Sequence, residues 1–244
     1  MKVKNLLSRF QKIVEWSLVA KCAAFVGLVL YASLYGGFLR WVILVFYAFW
    51  FFYNEGSERK SYKYSYILYL VLIFLYGTHL QESLFAAFIF FICVLLLLSV
   101  WIGFTRFVFR EKERTMDIYH SVLSFFTIMF ALLFPGMLSA LFAGVGVGIL
   151  LFEHLNVYAF SWKSRMVLVS VALGLFVCEL LLVTKMLSLH VVALTGVLTL
   201  IVLVIKNLIV AHFSGTLSRE YLFQNIIIFV LLCILLFATG RWVI

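Results

Sequence analysis

Apolar runs fill this chain almost from end to end, and its basic residues fall mainly in alternate gaps between those runs. A helix needs roughly twenty apolar residues to cross a hydrocarbon core of about 30 Å. Outer-membrane strands would instead alternate apolar and polar residues over segments of about ten, and the runs here are continuous. Hydrophobic residues make up 66% of the chain and charged residues 12%, against about half and about a quarter in a soluble domain. So little polar surface cannot clothe a soluble core. The fold class expected is all-α, a polytopic transmembrane helical bundle of about nine spans forming one domain over 16–244.

Hydropathy places the spans at about 16–35, 38–53, 65–78, 83–105, 118–134, 136–152, 166–184, 187–205 and 222–240. Ahead of them, Val3, Leu6, Leu7, Phe10, Ile13 and Val14 recur at helical spacing, with Lys2, Lys4, Arg9 and Lys12 between them. This pattern predicts a short basic amphipathic helix over 1–15, lying in the membrane interface. The first apolar run is long for a signal peptide and no small-x-small cleavage site follows it, so retention as the first span is expected.

Charge orients the chain. With the N-terminus in the cytoplasm, sixteen Lys and Arg residues fall inside and only Arg40, Lys185 and Arg241 fall outside. Such a bias sets topology, and it places the C-terminus outside. The six tryptophans all fall at expected interfaces, where an amphipathic ring is favoured. The expected location is an integral membrane one, the inner membrane if the source is bacterial. The net charge of +9 then belongs to loops that face anionic head groups. Membrane lipids are expected partners and nucleic acid is not.

Gly136, Ala140, Gly144 and Gly148 form a four-residue stripe, and Ser170, Gly174 and Cys178 a weaker one. Small residues on one face let a second helix approach closely, within the bundle or across to a membrane-protein partner or second copy. Gly144-x-Gly146-x-Gly148 is no nucleotide loop, since no strand precedes it. The four cysteines lie inside apolar runs without a C-x-x-C pair, so they read as packing residues.

Two groups of polar residues stand out. Glu179 lies within the seventh run, where a carboxylate must face the bundle interior, be protonated or be paired. Folding the seventh and eighth spans about Lys185 brings it level with His190, a pair suited to a proton or ion relay. Folding the fifth and sixth spans about Pro135–Gly136 brings Asp117 and His120 level with Glu153 and His154 at the cytoplasmic rim. Histidines and carboxylates suit metal binding or acid–base work. The spacing fits no ligand motif, and an exposed mixed-charge rim is the simpler expectation. No metal, cofactor or catalytic residue is assigned.

Three function classes follow. A non-enzymatic membrane component, a scaffold or accessory subunit of a membrane assembly, fits the aromatic content and the scarcity of buried polar groups best. A small proton- or cation-coupled transporter would turn on Glu179, although such carriers carry more mid-membrane polar residues and broken helices than this chain has. An intramembrane lipid-active enzyme would use His120, Glu153 and His154 at the rim.

Overall fold

The computed structural model describes residues 16–35, 38–53, 63–79, 112–134, 136–157, 163–185 and 191–239. The predicted interfacial helix at 1–15 and the fourth predicted span at 83–105 lie outside them. The described residues are helical and contain no strand. The helices are α1 (Trp16–Tyr35), α2 (Phe38–Tyr53), α3 (Lys63–His79), α4 (Lys112–Leu133), α5 (Met137–Val157), α6 (Lys163–Thr184), α7 (Val191–Phe213) and α8 (Arg219–Thr239).

Four of these segments are long and apolar enough to cross a membrane: Met116–Leu133, Met137–Val157, Lys163–Thr184 and Val191–Phe213. The chain is therefore consistent with an integral membrane protein. Several helices run past the predicted span limits, α5 and α7 by several residues at their C-terminal ends. Helix α5 continues beyond residue 152 and takes in Glu153 and His154, and α7 continues beyond residue 205 and takes in Lys206. Hydropathy ends a span at its first charged residue. The helices continue because those charges find partners on neighbouring helices.

The chain divides into two compact units. In the first, α1 packs on α2. The Tyr47 hydroxyl donates to the Lys21 carbonyl at 2.9 Å, and Trp41, almost fully buried, meets the ring of Phe74 edge-on at 5.1 Å. Trp41 thus packs within the first unit.

The second unit holds residues 63–69 and the described residues from 112 to 239. Its centre is α5, which packs most extensively on α6 and also on α4. Helix α7 lies against α4, and α8 against α7. The α5–α6 crossing is backbone on backbone: a Cβ added to Gly144 would meet the Gly174 carbonyl oxygen at 2.5 Å, and one on Gly148 the Ser170 carbonyl oxygen at 2.9 Å. On the opposite side of α5, a Cβ on Gly146 would touch Thr127 of α4 at 3.0 Å and Leu68 of α3 at 3.3 Å. Ala140 is fully buried, and Gly136 sits in the α4–α5 turn at φ 119°, a backbone that L side chains rarely adopt.

Lys185 closes the same turn. Its ammonium donates to the Phe134 carbonyl at 3.1 Å, the Gly136 carbonyl at 2.9 Å and the Ser139 hydroxyl at 2.8 Å. These carbonyls lie at and just past the C-terminal end of α4, where a cation is favoured. Helix α7 ends on Gly215 (φ 71°), with Thr216 N–H bonded back to the Ala211 carbonyl at 3.0 Å. The Ser218 hydroxyl then accepts the Tyr221 N–H and caps α8.

Gly144→Ala and Gly174→Ala should each destabilise the protein by about 1–3 kcal/mol, the cost of overpacking, read as a lower melting temperature in detergent. Gly27→Ala, where an added Cβ meets nothing within 4 Å, should leave melting unchanged or raise it slightly. Burial also lowers the Lys185 pKa from its ordinary 10.5. Between that lowered value and 10.5 the unfolded chain keeps a proton that the folded chain has released, so this group makes stability rise with pH over that window. Melting followed across the window should show that rise in the wild type and its loss in Lys185→Met.

Candidate functional site

Five ionisable side chains and one serine of the second unit meet at one end of its bundle. Glu153 on the penultimate turn of α5 is the most constrained, at 1% exposed. Its carboxylate accepts the backbone N–H of Ser65 at 2.8 Å and the Ser65 hydroxyl as well. Ser65 stands in the first turn of α3, whose N–H groups have no partner within their own helix. Glu153 therefore caps α3 from a distant part of the chain, with its negative charge at the positive end of the helix dipole.

The same carboxylate faces the ring of His120 on α4, with Nε2 at 3.3 Å. His120 is 2% exposed. With Nε2–H directed at a carboxylate, the neutral ring leaves Nδ1 as an acceptor, and Nδ1 has no hydrogen-bond partner among the described residues. A void of about 10 Å³ borders His120, Ser124 and Lys206, room for about one water molecule.

One residue further along α5, His154 is equally buried, and its Nε2 lies 3.2 Å from Asp117 Oδ1. Lys206 of α7 donates to the same oxygen at 3.0 Å. Asp117 is 40% exposed and Lys206 8%, so this pair joins a buried cation to a carboxylate that water reaches. The His120 and His154 rings are 5.6 Å apart and roughly edge-to-face. Glu153–His120 and Asp117–His154 are thus neighbouring pairs that tie α3, α4, α5 and α7 together.

The structure brings Asp117, His120, Glu153 and His154 together, with all but Asp117 buried inside the unit rather than lying on an exposed rim. No three His, Cys, Asp or Glu side chains converge in a metal-holding arrangement among the described residues. His212 is exposed at the end of α7. Glu179 is exposed on α6, with no hydrogen bond or ion pair among the described residues. His190, and with it the predicted Glu179–His190 juxtaposition, lies outside them. The Asn225 amide donates to the Tyr221 carbonyl of its own helix at 2.9 Å.

Sequence reasoning missed two members of the cluster. It counted Lys206 among the cytoplasmic cations, with a run-on of the eighth span to His212 as the alternative, and Lys206 in fact continues the four-residue stripe of Leu194, Leu198 and Val202, all buried. That periodicity was the available signal. Nothing local marks Ser65, whose partner is 88 positions away.

No protein-family model matches the chain, and no curated protein or solved structure matches it either.

Glu153→Leu should cost about 3–5 kcal/mol, the penalty for breaking a buried pair by removing one partner, because Ser65 N–H and His120 lose their acceptor together. Glu153→Gln keeps one acceptor and should cost about 1–2 kcal/mol. Asp117→Asn should cost less than Glu153→Leu, since water can reach the vacated position. Denaturant unfolding in micelles ranks the three, and amide exchange at Ser65 should quicken in both Glu153 variants.

Proposed function

We propose that this chain is a non-enzymatic integral membrane component, a scaffold or accessory subunit of a membrane assembly. The same proposal includes about nine spans, a cytoplasmic N-terminus and an outer C-terminus, placed in the inner membrane if the source is bacterial. One observation carries it: the clustered ionisable groups are engaged with one another across helices, and the void beside them has room for about one water. Polar side chains spent on interhelical bonds support a packing role. The outward faces of α6 and α8 offer large apolar side chains, among them Leu168, Leu175, Phe223, Ile227 and Leu231, to lipid or to a partner helix.

A second reading, a proton-coupled carrier, is favoured by the adjacency of Glu153, His120, His154, Asp117 and Lys206, which forms a run of proton donors and acceptors from a buried carboxylate to an exposed one. That reading moves the relay from Glu179 to Glu153. A lipid-active enzyme is less well supported, because His120, Glu153 and His154 are too buried to meet a lipid.

Liposomes containing the full chain separate these readings. The scaffold reading expects no proton flux above that of empty vesicles. It also expects a photocrosslinking residue at Phe223 or Ile227 to give one discrete protein adduct in native membranes, absent when the same residue replaces buried Leu123. Proton flux that collapses in folded Glu153→Gln, but persists in Glu179→Gln, would overturn it in favour of the carrier.

A further inference from the structure

The crossing of α5 and α6 leaves a groove of about 420 Å³ on the outer side of the second unit. Its floor is Gly144, Gly148, Ser170 and Gly174, and its walls include Leu141, Val145 and Phe152 of α5 with Val167, Val171 and Leu175 of α6. Val145, Val171 and Leu175 are more than half exposed, so the groove opens sideways, toward hydrocarbon in a spanning bundle. From Leu141 to Phe152 the helical rise gives a length of about 16 Å, close to one leaflet of a core about 30 Å thick.

That length suits an acyl chain lying within one leaflet. A slender hydrocarbon chain fits inside the groove.

Polar features mark one end. Tyr64 lines the groove there, and the Lys63 ammonium lies over its ring at 4.7 Å. Lys163, the first residue of α6, stands one turn before Val167 on the same helix face. Both lysines are exposed, and neither pairs with a carboxylate among the described residues. Within the floor, Ser170 is 4% exposed and its hydroxyl has no hydrogen-bond partner among the described residues. Helical rise puts Ser170 about 10 Å below Lys163, on the side where the ester carbonyls of a phospholipid lie relative to its phosphate.

We infer that this groove binds an anionic glycerophospholipid. One acyl chain lies over the glycine floor, an ester carbonyl accepts the Ser170 hydroxyl, and the phosphate sits between Lys63 and Lys163. Basic residues beside a helix pair are the usual recognition of acidic head groups. The inference stands independently of the scaffold reading.

The test uses the full chain, purified in a neutral detergent and titrated with dioleoyl phosphatidylglycerol or dioleoyl phosphatidylcholine, with retained lipid counted by native mass spectrometry. One phosphatidylglycerol should be retained at about tenfold lower concentration than phosphatidylcholine, in keeping with two lysines near an anionic head group. Lys63→Gln with Lys163→Gln should erase that preference, while Arg219→Gln keeps it. Val145→Trp, on the exposed rim, should fill the groove and abolish retention of the first lipid without changing the circular dichroism spectrum. Equal retention of the two lipids by wild type, or full retention by Val145→Trp, overturns the inference.

Discussion

The contact on which the second unit depends is the approach of α5 to its neighbours through glycine. Apolar side chains gain little by leaving lipid for one another, so helices in a membrane are held by close packing and interhelical hydrogen bonds. Gly144 and Gly148 bring the α5 backbone against α6, while Gly146, two positions on and so nearly opposite on the helix, brings it against α4 and α3. A helix thin on both faces can sit at the centre of a bundle. Two turns beyond Gly146 on the same face comes Glu153, and the approach that puts Leu68 near Gly146 also brings Ser65 within reach of its carboxylate. The steric device and the polar one are therefore a single arrangement: without the first, the second lacks its geometry.

Electrostatics at that end follow from position along the helices. A buried carboxylate survives where several donors converge on it, and Glu153 has a helix N-terminus, a hydroxyl and an imidazole. Asp117, nearer water, accepts from a lysine and a histidine at once. Lys206 reaches it on a long apolar stem, which lets a cation occupy a core stripe. Glu179 belongs to the same residue class as Glu153, yet points outward from α6, and the chemistry available to the two differs for that reason alone.

Much of this was legible from the sequence, and the limits have physical causes. The helices of the second unit follow from hydropathy, because the price of apolar exposure is set residue by residue. The turn read from the Pro-Gly pair, of which Gly136 is described, sets the register of α4 against α5, and with it the level of Asp117 and His120 beside Glu153 and His154. Depth was not legible. Charged residues at the end of an apolar run look like a solvated rim until the helices that cover them are known, and α3 and α7 come from remote parts of the chain. Averaged hydropathy likewise left Lys206 between a loop and a span running on to His212, and only its four-residue spacing to Val202 and on to Leu198 marks the buried stripe. The glycine stripe read clearly as a packing face, but a one-dimensional pattern cannot say which helix meets it. Gly174 and Ser170 on α6 supply that answer.

The glycines have a consequence on the outer surface as well. Removing side chains so that two backbones can touch also removes the atoms that would have covered the crossing from outside. The flanking Val145, Leu175 and Phe152 then stand as walls around a floor of backbone. In water such a hollow would fill with solvent. In hydrocarbon, a hollow without an occupant forfeits dispersion contacts along its whole lining, so it is closed by whatever flexible apolar matter lies beside it. Acyl chains are the most abundant such matter in a membrane. The lysines at one end decide which head group those chains carry, because the apolar floor cannot discriminate among lipids and a charge at its mouth can. Close packing and lipid selection would then share one set of residues, with Gly144 and Gly174 serving the first directly and the second by the space they leave.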